Sequence, residues 1–449
     1  MIKKQTKAIV KSVLSPFERF LRRQSSSGIL LLIAAITAML WSNSSYADVY
    51  FDIWNKEFTI GIGAFQVSEP LILWVNDGLM ALFFFVVGLE IKREVMAGEL
   101  STVKDMVMPL TAAIGGMAVP AIIFVLVEGN TEMAKGWGIP MATDIAFSLG
   151  ILSLLGPKVP IGLKVFLTAL AIVDDIGAIL IIAFFYSSDI QWVYLQAAAG
   201  LFPLLLIFNY FNLRIVSLYV IVGLFVWFCF LKSGVHPTVA GVLVALTIPA
   251  RRKIKMLDFM EETKSSLTKF ENAICPDSKI LLGKEQISAV DGISESVKKV
   301  QSPVQRLENS LSNFTANLVM PIFALANASI VIVGNEFDLL DRVTLGTGLG
   351  LLIGKVLGVS LFSWLSVRLG WGQLPAGVSW TQIIGVGFLA GIGFTMSLFI
   401  TNLAYMDAEV VNASKIGIVI GSIVAGTIGF VILKINLMKT GKTEKAKII

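Results

Sequence analysis

The stretch Ala169-Leu170-Ala171-Ile172-Val173-Asp174-Asp175-Ile176-Gly177 sets two adjacent carboxylates at the centre of an apolar run whose ends are marked by Lys164 and Asp189. A run of this length crosses roughly 30 Å of hydrocarbon as a helix, which takes about 20 residues. Inside lipid there is no water to satisfy backbone amides and carbonyls, so such a span has to be helical. Ionisable groups at the bilayer centre cost about 2.5–3.5 kcal/mol each even on a lenient insertion scale, so carboxylates kept there need a reason.

Working outward, about twelve such runs begin near Gly28, Pro70, Met106, Gly136, Ile161, Gln191, Ile215, Val235, Leu311, Val343, Gln382 and Val411. The 449 residues are 55% hydrophobic and only 15% charged, a balance that belongs to a bilayer protein rather than a soluble one. The expected fold is an all-α polytopic membrane protein of about twelve transmembrane helices. Composition divides the chain into a basic arm (1–27), eight helices (28–250), a mixed-charge insertion (251–305), four helices (306–436) and a basic tail (437–449).

Lys and Arg accumulate on the cytoplasmic side of membrane proteins. Both ends are basic, and so are the even-numbered connections with Lys92, Arg93, Lys104, Lys158, Arg214, Arg251, Arg252, Lys253 and Arg368. The odd-numbered ones carry Asp48, Asp52, Glu57, Glu128, Asp189, Glu336, Asp338, Asp341, Asp407 and Glu409. Both termini are therefore expected in the cytoplasm. The net charge of +5 reads as topology and lipid anchoring, with no nucleic-acid footprint. Ser45-Tyr46-Ala47 resembles a signal-peptidase site, but the arm is long for a signal peptide and losing the first helix would break the charge pattern. Cys229 and Cys275 imply neither a disulfide nor a metal site. The insertion reads as a solvated, partly helical linker.

With the ends inside, spans three to five run opposite to spans ten to twelve, and the middle member of each trio is interrupted. The fourth carries Gly136, Gly138, Pro140 and Thr143-Asp144; the eleventh carries Gly387, Gly391, Gly393 and Thr395. Paired broken helices in inverted repeats point to a transport site. Asp144 and Lys355 lie near the middle of the fourth and tenth spans, at the depth of Asp174 and Asp175. Three carboxylates and one ammonium suit a hard cation, with Thr143 and Thr395 as neutral oxygens. The alternatives are a buried ion pair that fixes packing, and, for Asp144 and Lys355, compensation of helix-end charges. One Lys does not neutralise three carboxylates.

Buried, mutually close carboxylates let protons and sodium compete for the same oxygens. A site loaded with one or the other and exposed to one side at a time is an exchanger; the chain reads as no enzyme, without cofactor, and shows no Walker-type loop. A channel fits deep, coupled carboxylates poorly. An intramembrane aspartyl protease takes its two aspartates from separate helices, whereas Asp174 and Asp175 are about 100° apart on one. A proton-coupled carrier of a larger solute stands as the rival transporter, although no aromatic or Arg clamp accompanies the midplane charges.

Seven stretches then carry a specific resemblance: Trp74-Val75-Asn76-Asp77, Val87-Gly88-Leu89-Glu90-Ile91-Lys92-Arg93-Glu94, Ala142-Thr143-Asp144-Ile145-Ala146-Phe147, Ala171-Ile172-Val173-Asp174-Asp175, Lys232-Ser233-Gly234-Val235-His236, Gly354-Lys355 and Gly391-Ile392-Gly393-Phe394-Thr395-Met396-Ser397. From about Gly28 to Lys434 the chain resembles bacterial sodium/proton antiporters of the NhaA family. The resemblance implies that Asp175 is the main cation ligand and proton carrier. It implies that Asp174 shares the site and pairs with Lys355 in the inward-facing state, and that Asp144 and Lys355 compensate crossed, unwound helices.

It further implies electrogenic exchange in the bacterial inner membrane, acceptance of Li+, and Asp77 at a cation funnel. The implied alkaline activation runs through a cluster here comprising Glu90, Lys92, Arg93, Glu94 and Glu308. The other reading of those charges is ordinary anchoring at the membrane boundary. A homodimer through an extracellular hairpin in 52–67 is implied as well. His236, the only histidine, matches a position linked to pH response, while its other reading is a side chain satisfied by its neighbours. The insertion before Glu308, the lack of cytoplasmic histidines and Val356 after the lysine depart from some relatives and leave the activation range open.

Overall fold

A computed structural model describes residues 27–61, 66–98, 103–187, 189–273, 281–332 and 340–446. The basic arm apart from Ser27, and with it Cys275, Glu336, Asp338 and Lys447, lies outside the described residues. Helices α1 (Ser27–Ser42) and α2 (Ala47–Asn55) form one bent pair, turned by 114°. An antiparallel hairpin follows, β1 (Glu57–Ile60) on β2 (Val67–Pro70), with Glu57 opposite Pro70 and Ile60 opposite Val67. It leads into α3 (Leu71–Ala97), whose Trp74 Nε1 donates to Phe58 O at 2.8 Å and ties the hairpin to the helix.

The chain continues through α4 (Val103–Glu128), a 3-10 segment Glu132–Met141, α5 (Ile145–Leu154), α6 (Ile161–Phe185), α7 (Trp192–Tyr210), α8 (Val216–Ser233) and α9 (Thr238–Thr247). The insertion contributes α10 (Met256–Asn272) and α11 (Lys284–Val300). Helix α12 spans 303–327, and α13 (Arg342–Arg368), α14 (Trp380–Ala390), α15 (Phe394–Ala404) and α16 (Ala408–Ala446) complete the chain.

Among the described residues, eight helical stretches are long and apolar enough to cross a membrane, or ten if each of two bent pairs counts as one span. Two expected runs differ. Helix α9 has ten residues, about 15 Å of rise, which is half the hydrocarbon thickness. Helix α12 begins polar, with Arg306, Glu308, Asn309 and Ser310 ahead of its apolar half.

Small residues decide which helices touch. A side chain at Gly358 would collide with the Gly115 carbonyl, so α13 and α4 meet backbone to backbone. Among the long spans α6 has the largest buried share, with Leu163, Leu167, Leu170 and Ile182 fully enclosed. Helices α7 and α8 instead expose Leu206, Ile207, Ile221, Leu224 and Phe225 outward, as lipid-facing surfaces do. Helix α1 is packed in through Leu31, Ala35 and Ala38. The Asn43 side chain after it exchanges hydrogen bonds with Ile330 O and Ile332 N, at 2.6 and 2.8 Å. Asn412 treats Val331 the same way, so an irregular stretch of backbone is satisfied by side chains on both sides.

Candidate cation site

Both interrupted spans break where glycine, proline and polar residues replace the apolar run. The 3-10 segment ends at Met141, residues 142–144 are extended, and α5 restarts at Ile145. Helix α14 stops at Ala390 and α15 restarts at Phe394, bent by 45°. The two breaks lie against each other. Asp144 N donates to Ile392 O at 2.6 Å, Ser148 Oγ to Leu389 O at 2.7 Å and Ser397 Oγ to Ile139 O at 2.8 Å. Each broken span thus supplies donors to carbonyls at the other's interruption.

Asp144 sits where two helices begin. Its Oδ1 accepts from Phe147 N at 3.1 Å, capping α5, and its Oδ2 accepts from Thr395 N at 3.2 Å and from the Thr395 hydroxyl. A carboxylate at two positive helix starts is favourably placed. Thr395, expected as a neutral ligand beside the aspartate pair, instead has its hydroxyl committed to Asp144.

The pair itself is on α6. Asp174 and Asp175 are each 2% exposed and Lys355 is 0% exposed. Lys355 Nζ lies 2.6 Å from Asp174 Oδ2. Widened turns at Gly350–Gly354 immediately precede the lysine in α13. Thr143 Oγ1 is 2.7 Å from the same Asp174 oxygen and 2.8 Å from Ala390 O, so its single proton has two acceptors in reach. Asp174 Oδ1 and Asp175 Oδ2 are buried without a hydrogen-bond partner among the described residues. Two enclosed, unpaired carboxylate oxygens on neighbouring residues are ligands of the kind a hard monovalent ion or protons take. Two surface cavities, of about 320 and 520 Å³, are not lined by either aspartate.

The remaining predicted residues fall into two separate groups and one residue that joins neither. Arg93 joins Glu308 at 2.7 Å, Glu94 at 2.6 Å and Glu90 at 3.9 Å, linking α3 to α12. Lys92 stands apart from that cluster, its Nζ donating to Leu246 O and Ile248 O at 2.6 Å each, at the C-terminal end of α9. His236 Nε2 lies 3.3 Å from Asp77 Oδ1, its Nδ1 is 2.8 Å from Thr238 Oγ1, and its ring meets Phe399 edge-on.

Sequence reasoning passed over Ser148 and Ser397, which close the crossing. Their signal was their offset, four residues beyond Asp144 and Gly393 respectively. It also passed over a chain of asparagines in which Asn402 Nδ2 donates to Asn327 Oδ1 at 2.6 Å and Asn327 Nδ2 to Asn76 Oδ1 at 2.9 Å.

Comparison with known proteins agrees with the reading of the motifs. The family model described as Na+/H+ antiporter 1 matches residues 18–433. The Na(+)/H(+) antiporter NhaA of Oleidesulfovibrio alaskensis is 46% identical over 438 residues, covering 97% of each chain. That of Christiangramia forsetii is 47% identical over 431 residues, 94% of this chain and 95% of the relative. The NhaA antiporter of Wolinella succinogenes is 43% identical over 426 residues, 95% and 94% of the two chains. A match over nearly the whole length, at this identity, establishes that the chain is a member of the NhaA family of Na+/H+ antiporters.

Proposed function

We propose that this chain exports Na+, and Li+ with it, in exchange for protons through the Asp174–Asp175 recess. The observation that carries this reading is the pair of unpaired, fully enclosed carboxylate oxygens beside a lysine that holds only one side of Asp174. A sodium ion settling against Asp175 is coordinated by the free oxygens of both residues and competes with Lys355 and Thr143 for Asp174. Protons are the other occupants of those oxygens. Two carboxylates can carry two protons one way and a single sodium ion the other, so each cycle moves net positive charge inward. The membrane potential then contributes about 2.3 kcal/mol per charge per 100 mV to export.

Alternating access follows from the crossing. A bundle containing both breaks can rock against its surroundings and keep the recess intact, as in inverted-repeat transporters, of which NhaA is itself a type case. In this reading the chain has twelve spans with both termini in the cytoplasm of a bacterial inner membrane. Asp144 balances the helix starts at the crossing, Asp77 with His236 lines the cation's route, and the β1–β2 hairpin pairs two copies. The Arg93 cluster ties α3, which packs beside α6, to α12, giving pH a handle on the site. Lys92 acts there through α9 rather than through the charges.

The test is sodium-driven dissipation of a preset pH gradient in proteoliposomes, with the native chain and Asp175→Asn compared. Loss of the response in Asp175→Asn alone supports exchange through the recess. A folded native protein that moves protons without regard to sodium or lithium sinks the reading and leaves another coupled solute in its place.

A further inference from the structure

The described part of the insertion is a helical hairpin with one apolar side that nothing among the described residues covers. Helices α10 and α11 run antiparallel: Ser296 Oγ donates to Glu262 Oε2 at 2.8 Å, Lys299 Nζ lies 3.6 Å from the same carboxylate, and Gly292 comes up against Ser266. Ala289 and Ser296 are buried in that contact. Beside it Met256, Met260 and Leu267 remain 53%, 61% and 48% exposed on α10, and Ile287 and Val290 47% and 43% on α11. At 100° per residue the three α10 positions fall within about 40° of one another and the two α11 positions within about 60°. Each stripe is offset from the helix–helix contact in the same rotational sense. In an antiparallel pair those offsets emerge on one side, so the stripes merge into a single apolar flank. Asp258 and Glu261 on α10 and Glu295 on α11 lie outside that flank and are exposed, while Glu271, four residues after Leu267, and Asp291, four after Ile287, border it.

A continuous apolar flank of this kind marks an interaction surface. Its position in the chain selects the partner. Ile248, fully buried at the end of α9, is followed within a few residues by Arg251, Arg252, Lys253 and Lys255, and the apolar stripe starts at the next residue, Met256. The base of the hairpin is pinned there, because Lys253 N donates to Lys299 O at 3.0 Å. The flank therefore begins at the membrane boundary behind four cations, and Asp258, Glu261 and Glu295 lie outside it. That is the arrangement of an interfacial amphipathic helix, with apolar residues at the acyl boundary, cations at lipid phosphates and carboxylates in water.

We infer that the insertion hairpin rests its Met256–Met260–Leu267/Ile287–Val290 flank on the anionic surface of the bilayer that the chain spans. The inference is independent of what the cation site carries. The test uses the full chain with Cys229→Ser and Cys275→Ser, reconstituted in phosphatidylglycerol/phosphatidylethanolamine vesicles and spin-labelled in turn at Met260→Cys, Leu267→Cys, Glu261→Cys and Glu295→Cys. The expected result is a collision ratio of oxygen to a nickel chelate severalfold higher at positions 260 and 267 than at 261 and 295. Replacing Arg251, Arg252 and Lys253 by Gln should bring that ratio down. Equal access of the chelate to all four positions overturns the inference in favour of a solvated hairpin. Shielding of 260 and 267 from both reagents overturns it in favour of contact with a second copy.

Discussion

At the scale of single residues, the cation site is a problem of unequal partnership. Lys355 and Thr143 both address one oxygen of Asp174, while Asp175 has an oxygen that nothing in the described protein satisfies. Truncating Lys355 to Ala leaves Asp174 enclosed without its counter-charge, a change that costs about 3–5 kcal/mol for a buried pair. Lys355→Ala should unfold at clearly lower temperature in detergent, with Lys355→Arg falling between it and the native chain. Sodium should stabilise the native protein by mass action, about 2.7 kcal/mol at a hundredfold excess over its dissociation constant. A thermal shift in NaCl over choline chloride that disappears in Asp175→Asn is the expected result. The aspartates and Lys355 were legible in sequence because a charge inside an apolar run is conspicuous. The side of Asp174 that Lys355 takes, and the loss of Thr395 to Asp144, were not, since both depend on how two distant breaks come together.

At the scale of elements, the crossing is tied because each interrupted span donates to carbonyls at the other's break. Ser397→Ala deletes the donor to Ile139 O, worth about 1–3 kcal/mol, whereas Ser148→Ala should cost less because Leu389 O also accepts from Ile392 N at 3.2 Å. The double variant should be less destabilised than the sum of the two, because both serines close one crossing; thermal unfolding of the four proteins measures this. Helix α13 is held to α4 just as closely, and Gly358→Val should lower the yield of folded protein, since the Gly115 carbonyl leaves no room for a side chain. The sequence showed the breaks through Gly136, Gly138 and Pro140 and through Gly387, Gly391 and Gly393. It did not show the shortness of α9 or the widened turns before Lys355. Hydropathy records how apolar a run is, whereas helix length and winding are settled by neighbours such as α3, which packs on α9 through Gly88 and Gly241.

For the whole molecule, the proposed competition between protons and sodium for the same oxygens predicts the sign of the pH response. As pH rises the recess holds fewer protons, so the sodium concentration giving half-maximal exchange should fall, by at most about tenfold per pH unit when one proton competes. Proteoliposome assays at several pH values read this directly, and a half-saturation that stays constant contradicts shared oxygens. The insertion lies apart from that coupling. Its two ends leave the membrane bundle side by side, held by the Lys253–Lys299 backbone hydrogen bond. A segment that departs and returns at one point can be lost, lengthened or exchanged without altering the path of the remaining chain. Joining Lys255 to Val300 through a few Gly and Ser residues should therefore yield a shortened transporter. The same junction offers a docking port where a fluorescent reporter or an affinity module could be spliced into the interior of the gene.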